Sequence, residues 1–317
     1  MTVNVGVIGC GRWGLAHLKT LNKLKHKNLV GKIHACDVDH SKEIKVSGLV
    51  DSFSSSWEEM LEQEPIDVVA IVTPLDTHKD LIFDLMNRDP LLLIEKPLCK
   101  SQEEAVEILS RAQDKGKKMI VGHLLRFHQS VIEAKELIFS GVIGELQRID
   151  FTRITTRPPP QSPNVFDAFA IHGIDTACFC FGEMDPSRIT VDYADSDAQA
   201  NPTHAKISVE FPGHKEASIE VGWGGNRESR IITFSGNDGT IVIDTGIVGK
   251  IKILTSNEII EKQLDNNTLP LEREWELALD MAKNNSNYKI YPEPGTILRC
   301  MKWIDSAKGE YKEKLRI

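Results

Sequence analysis

The run Gly9-Cys10-Gly11-Arg12-Trp13-Gly14 stands directly after a β-branched apolar stretch, Val3 to Ile8. Directly after it come residues Leu15 to Lys25, whose apolar positions recur at helical spacing. A strand that turns on glycines into a helix opens a βαβ unit, and each glycine has its own duty there. Gly9 permits the tight turn, Gly11 lets the backbone approach a pyrophosphate, and Gly14 lets helix and strand pack closely. The free N–H groups and partial positive charge of the helix start then favour phosphate. The next strand, Ile33 to Cys36, ends at Asp37, roughly twenty positions after Gly14. A carboxylate there accepts hydrogen bonds from a ribose 2′-hydroxyl and repels a 2′-phosphate, which favours NAD over NADP.

The alternation continues. A strand from Ile66 to Val72 ends at Thr73-Pro74, and a helix runs from about Thr77 to Met86. Leu91 to Ile94 is a fourth strand, closed by Glu95-Lys96-Pro97; a helix from Gln102 to Lys115 leads into the strand Lys118 to Val121. Strands and helices in turn, with short connections, mean a parallel sheet with right-handed crossovers, and ligands bind beyond its C-terminal strand ends. Residues 1–122 are therefore expected to form a Rossmann dinucleotide-binding domain.

From residue 123 the text changes. A helix over Ser130 to Ser140 precedes a strand over Leu146 to Arg153, and Pro158-Pro159-Pro160 with Pro163 is too stiff for helix or sheet. A helix from about Val165 to Phe181 is followed by alternating strands between Ile189 and Leu254, whose turns carry glycines and Asn237-Asp238-Gly239. That pattern predicts an open, mostly antiparallel sheet. Helices over Glu272 to Lys283 and Gly295 to Lys308 finish the chain. The fold class is thus α/β, and residues 123–317 are expected to bind substrate and build oligomers, with the final helices able to pack back on the first domain.

Composition narrows the function. The chain has 317 residues, 41% hydrophobic and 26% charged, the mix of a globular protein, and its net charge of −8 argues against general affinity for nucleic acid or anionic membrane. No apolar run approaches the roughly 18 residues of a membrane span, and the N-terminus lacks the basic region of a secretory signal. None of the six cysteines forms a Cys-x-x-Cys pair, and His and Cys never recur at ligand spacing. Buried thiols in a reducing cytoplasm, with no metal, are the expectation.

The chain resembles the Gfo/Idh/MocA family of oxidoreductases. The resemblance rests on Gly6 to Gly14, Val72-Thr73-Pro74-Leu75-Asp76-Thr77-His78, Glu95-Lys96-Pro97-Leu98, Gly122-His123-Leu124-Leu125-Arg126-Phe127, His172-Gly173-Ile174-Asp175, Glu272 to Glu276 and Gly295-Thr296-Ile297-Leu298. It implies oxidation of a secondary alcohol on a sugar, cyclitol or nucleotide sugar with NAD or NADP, in a homodimer or homotetramer. Cofactor contacts are expected from Gly9, Gly11, Arg12, Trp13, Gly14, Asp37, Thr73, Pro74, His78, Glu95, Lys96 and Arg126. Glu95 would meet the nicotinamide ribose. His78 also reads as a local cap partner, and Arg126 as a salt-bridge residue.

Hydride transfer from an alcohol needs a base for the hydroxyl proton and a positive group beside the oxygen. His172 suits the first, since a histidine titrates near neutrality; Lys96, at a strand's end, suits the second. The resemblance assigns both the same roles. Asp175, about 300° on around a regular helix, shares a face with His172 and is expected to orient it or to bind a substrate hydroxyl. Many relatives carry an aspartate four residues before this histidine, where this chain has Ala168. Asp167, five before, falls about 140° away on a regular helix and is not expected to stand in. Arg153 and Arg157 can meet a diphosphate. The text around His123 and His172 looks most like the branch acting on the 3-hydroxyl of UDP-N-acetylhexosamines. Rival readings are a cyclitol or other carbonyl or alcohol dehydrogenase, and a non-catalytic NAD-binding regulator, which Ala168 would favour.

Overall fold

A computed structural model describes residues 2–198, 201–264, 268–284 and 286–314. The elements in chain order begin with β1 (Val3–Ile8), α1 (Arg12–His26), β2 (Val30–Cys36), α2 (Glu43–Val46), β3 (Ser52–Ser54), α3 (Trp57–Gln63), β4 (Val68–Ile71), α4 (His78–Leu85), β5 (Leu91–Glu95), α5 (Gln102–Asp114) and β6 (Met119–Gly122). Then come α6 (Gln129–Phe139), β7 (Leu146–Ile154), a π-helical turn (Phe166–Ala170), α7 (Ile171–Cys180), β8 (Arg188–Ser196), β9 (Pro202–Phe211), β10 (Lys215–Gly222), β11 (Ile231–Gly236), β12 (Gly239–Asp244), β13 (Lys250–Thr255) and β14 (Ile259–Gln263). The last are α8 (Pro270–Ala282), β15 (Ile290–Tyr291) and α9 (Pro294–Lys314). The chain divides into two compact units, one of Met1–His123 with Leu271–Leu298, the other of Leu124–Pro270 with Arg299–Ile317.

The first unit holds a seven-stranded parallel sheet in the order β15-β6-β5-β4-β1-β2-β3. β4 and β5 are buried along their whole length, as strands covered on both faces must be. Helix α1 buries Gly14, His17, Leu18, Leu21 and Leu24, one stripe at three- and four-residue spacing. Ser101 starts α5 by accepting the Glu104 N–H at 3.3 Å, and Ser56 does the same for Glu59 in α3. Strand order reverses between β1 and β4, and the glycine turn sits at that switch point.

The second unit holds an eight-stranded sheet in the order β14-β13-β12-β11-β7-β10-β9-β8, antiparallel throughout except for the parallel pair β7–β10. One face supplies the core: Ile149 and Phe151 of β7, Ile219 and Val221 of β10, and Ile232 and Phe234 of β11 are all buried. The alternate positions, among them Asp150, Thr152, Ser218, Glu220 and Ser208, are polar and half-buried. No helix among the described residues is long and apolar enough to cross a membrane.

Candidate functional site

In the first unit the glycine turn has the geometry its sequence requires. Gly9 adopts φ +100°, and a Cβ there would meet the Val72 carbonyl oxygen at 2.5 Å. A Cβ on Gly14 would lie 1.8 Å from the Gly9 carbonyl oxygen, so helix and turn touch backbone to backbone. Gly11 is different: nothing lies within 4 Å of the Cβ position, and it caps α1 with no side-chain cap hydrogen bond and no acidic residue in the helix's first turn. Open space before bare amides is the cradle a pyrophosphate needs, and Arg12, exposed in the first turn, adds a cation. The Asp37 carboxylate accepts the N–H of Cys10 at 2.7 Å and of Asp39 at 2.9 Å, which fixes it at the end of β2 beside the turn. Burial pushes the Cys10 thiol up to about 12, so it stays protonated.

At the end of β5, Glu95 is the hub of a buried network. Its Oε1 accepts the Trp13 indole N–H at 2.6 Å and lies 2.9 Å from His17 Nε2. The Trp275 indole donates to His17 Nδ1 at 3.1 Å. An indole only donates, so Nδ1 is the acceptor and the neutral tautomer of His17 carries its proton on Nε2, toward Glu95. Burial pushes the Glu95 carboxyl up, but the His17 and Trp13 hydrogen bonds, with the charge of Lys96, leave it below the usual carboxylate range. Glu274 on α8 is the opposite case. Both its oxygens are buried without a hydrogen-bond partner among the described residues, and burial beside the Glu95 charge raises it far above that range. A Cβ on Gly122 would meet Glu274 Oε1 at 3.1 Å and Glu95 Oε1 at 3.3 Å, so the two carboxyl groups face the same glycine.

Lys96 follows Glu95, half-buried at the C-terminal end of β5. His78 is 2% exposed, its Nδ1 at 3.1 Å from the Pro97 carbonyl oxygen and its Nε2 at 3.0 Å from that of Thr73. Burial lowers its pKa, and the neutral ring that this favours donates to only one of these two carbonyls.

In the second unit the region before His172 is wound differently from the regular helix that the sequence pattern predicts. The Ile171 N–H reaches the Phe166 carbonyl, five residues back, and Phe166–Ala170 forms a π turn. One extra residue in the turn moves a position five before His172 to the face that a position four before occupies in a regular helix. The regular helix on which Asp167 is expected to face away from His172 is therefore not the geometry of this turn. Asn164 starts the turn: its Oδ1 accepts the N–H of Phe166 at 2.9 Å and of Asp167 at 3.1 Å, and its Nδ2 donates to Asp167 Oδ2 at 2.7 Å. Lys308 Nζ lies 3.3 Å from Asp167 Oδ1. Asp167 is 6% exposed, and His172 is half-buried in the first turn of α7.

Asp175 and Arg126 are placed together. Arg126 Nε lies 2.9 Å from both Asp175 oxygens, its Nη1 is 2.7 Å from Glu183, and its guanidinium stacks 4.6 Å from the Phe179 centroid. At 2% and 5% exposure, Asp175 and Arg126 form an internal ion pair of this unit. Arg153 lies near the end of β7 and Arg157 beyond it, where Arg157 Nε donates to Thr155 Oγ1 at 3.2 Å. Sequence reasoning missed His17 and Trp275. His17 is detectable as the residue one turn after Trp13 on α1; Trp275 lies far along the chain and leaves no such trace.

A parallel sheet with a glycine turn at its switch point, joined to a unit built on a broad sheet, defines a dinucleotide-binding oxidoreductase architecture. Residues 3–123 match the model of the oxidoreductase family with NAD-binding Rossmann fold, and residues 131–242 match the GFO/IDH/MocA C-terminal domain. The chain belongs to the Gfo/Idh/MocA family. It is 29% identical over 195 residues to inositol 2-dehydrogenase of Rhizobium meliloti, a match covering 60% of this chain and 58% of that protein. It is 29% identical over 262 residues to scyllo-inositol 2-dehydrogenase (NAD(+)) of Bacillus subtilis, covering 77% and 74%. A 3-ketoreductase from Actinomadura kijaniata, solved with NADP, superposes with a TM-score of 0.85 at 14% identity over 97% of both chains.

Proposed function

We propose that the protein is an NAD-dependent dehydrogenase acting on a secondary alcohol of a sugar, cyclitol or nucleotide sugar. The carrying observation is the first unit's glycine turn, with Gly11 open and Asp37 fixed beside it, ending on the same sheet edge as Glu95 and Lys96. The bound nicotinamide supplies the hydride acceptor. Glu95, held in place by Trp13 and His17, offers its Oε2, which takes no hydrogen bond from the described residues, to a ribose hydroxyl. Lys96 orients the substrate oxygen and stabilises its alkoxide character, and His172 takes the hydroxyl proton. Asp167, brought to the His172 face by the π turn, orients the imidazole. In this reading Asp167 stands in for the carboxylate that Ala168 lacks, which weighs against a non-catalytic regulator. Asp37 disfavours a 2′-phosphate and so selects NAD.

For the substrate, Arg153 and Arg157 support a UDP-N-acetylhexosamine oxidised at its 3-hydroxyl, whereas the inositol dehydrogenases among the relatives support a cyclitol. The test is a panel of UDP-sugars, free sugars and inositols incubated with the protein and NAD, followed by the absorbance of reduced nicotinamide. The expected result is turnover with at least one member, lost in Lys96→Ala while NAD affinity stays within about twofold of wild type. Silence across the whole panel contradicts the proposal.

A further inference from the structure

Near the end of β7 two arginines stand face to face. β7 pairs with β11 through Phe151↔Ile232 and Asp150↔Thr233, and the ladder extends to a bridge between Ile154 and Ser229. Ile154 and Ser229 exchange both backbone hydrogen bonds, at 2.9 and 3.0 Å. One step inward, Arg153 therefore lies directly opposite Arg230 in a non-hydrogen-bonded pair, the position where cross-strand side chains come closest. Both belong to the face that carries Phe151 and Ile232, the core face of the sheet. On the other side of β7, Val221 of β10 is level with Arg153. Trp223, two residues further along, contacts Phe169 with ring centroids 4.8 Å apart, and the Arg153 guanidinium lies 5.7 Å from the Phe169 centroid. Phe169 itself lies within the π turn that leads to His172.

Like charges directly opposite on a sheet are destabilising, and natural strands avoid them unless something bridges the pair. Among the described residues nothing does so for Arg153. Arg230 Nη2 has Glu228 at 3.3 Å, but Glu228 is taken up by the Thr155 hydroxyl at 2.6 Å and the Thr156 N–H at 2.8 Å. Asp244 is near enough to act through its charge, and its Oδ1 accepts the Gly246 N–H at 2.8 Å. Arg153 has no hydrogen bond or ion pair with any described residue, and burial together with Arg230 pulls its pKa down to about 10. A half-buried guanidinium on an aromatic floor, with a second cation opposite, is an incomplete ion cluster.

We propose that the Arg153–Arg230 pair is an anion subsite, and that the substrate of the dehydrogenase site carries a phosphate or carboxylate group which bridges the two guanidinium forks. Phe169 and Trp223 form the apolar wall against which the carbon body next to that group lies. The inference rests on the reading of the Lys96 and His172 site as a dehydrogenase and narrows it: a neutral cyclitol leaves the pair unbridged, whereas a nucleotide sugar or a sugar acid completes it.

The test uses the full-length protein, with tryptophan fluorescence and thermal melts recorded against four probes: UDP, inorganic phosphate, D-glucuronate and myo-inositol. UDP and phosphate report a phosphoryl group, glucuronate a carboxylate. Anionic probes of at least one kind are expected to bind and to raise the melting temperature, with affinity falling as salt rises. Arg153→Met, which keeps the apolar stem over Phe169, and Arg230→Gln should each weaken that binding about tenfold or more and leave NAD affinity intact. Without ligand, Arg153→Met should melt no lower than wild type, because it relieves the cross-strand repulsion. Absence of binding by every anion, or binding indifferent to both substitutions, overturns the subsite. Turnover of myo-inositol with no anion binding removes the subsite and leaves the dehydrogenase standing; anion binding without turnover of any alcohol does the reverse.

Discussion

At the scale of single residues, the last two glycines of the turn, Gly11 and Gly14, separate folding from binding. Gly14→Ala forces a methyl to 1.8 Å from a backbone oxygen that no side-chain rotation can clear, so it is expected to lower stability by several kcal/mol, about the range of severe core overpacking. Gly11→Ala meets open space and should change the urea midpoint little, yet it places a methyl where the pyrophosphate must approach, so NAD affinity should collapse. Equal stability loss in both variants would show that the turn serves packing alone. Glu274 gives a second prediction. Its folded-state pKa is raised, so between the ordinary carboxylate range and that raised value the folded protein binds more protons than the unfolded chain, and stability falls as pH rises. Glu274→Gln should remove a slope approaching about 1.4 kcal/mol per pH unit. Urea melts at several pH values read this directly, and an unchanged slope in the variant contradicts the protonated state assigned to Glu274.

At the scale of elements, the π turn before α7 carries the prediction for Asp167. Asp167→Asn keeps the hydrogen-bonding shape of the Asn164 cap region and removes the charge. It should lower kcat by at least about tenfold while the KM for NAD stays put, whereas a carboxylate that only supports the fold would lower the melting temperature and leave kcat unchanged. The strands and helices around the site were legible because their signals are local. The β-branched run of β1, the 3–4 spacing of α1 and the uninterrupted apolar text of β4 and β5 each follow from burial. What was illegible has equally physical causes. β3 is three residues long and α2 four, too short for any periodicity, and all five residues of β14 are exposed, so no alternation marks it. A π turn differs from an α turn by one hydrogen-bond step and has no composition of its own, which is why the sequence reads as a regular helix there. The pairing of Arg126 with both Asp175 oxygens joins residues distant in sequence, which helical spacing does not display. The Arg153–Arg230 pair needed the strand register, which the sequence does not display.

At the scale of the whole molecule, the chain forms two units that each fold around a sheet of their own, and the proposed chemistry draws on both. Lys96 belongs to the first unit and His172 to the second, and in the proposed reaction neither suffices without the other. Groups that serve one chemical step are not independent: once either is gone, removing the other costs little more. Residues that act separately lose activity multiplicatively. The measurement is therefore a double-mutant cycle on kcat/KM for the alcohol, comparing Lys96→Ala, His172→Ala and the double variant under saturating NAD. The account predicts that each single variant loses about a hundredfold or more and that the double variant is scarcely slower than the slower single one. Losses that multiply in the double variant, or a single variant with wild-type turnover, would contradict the claim that these two side chains carry the reaction together.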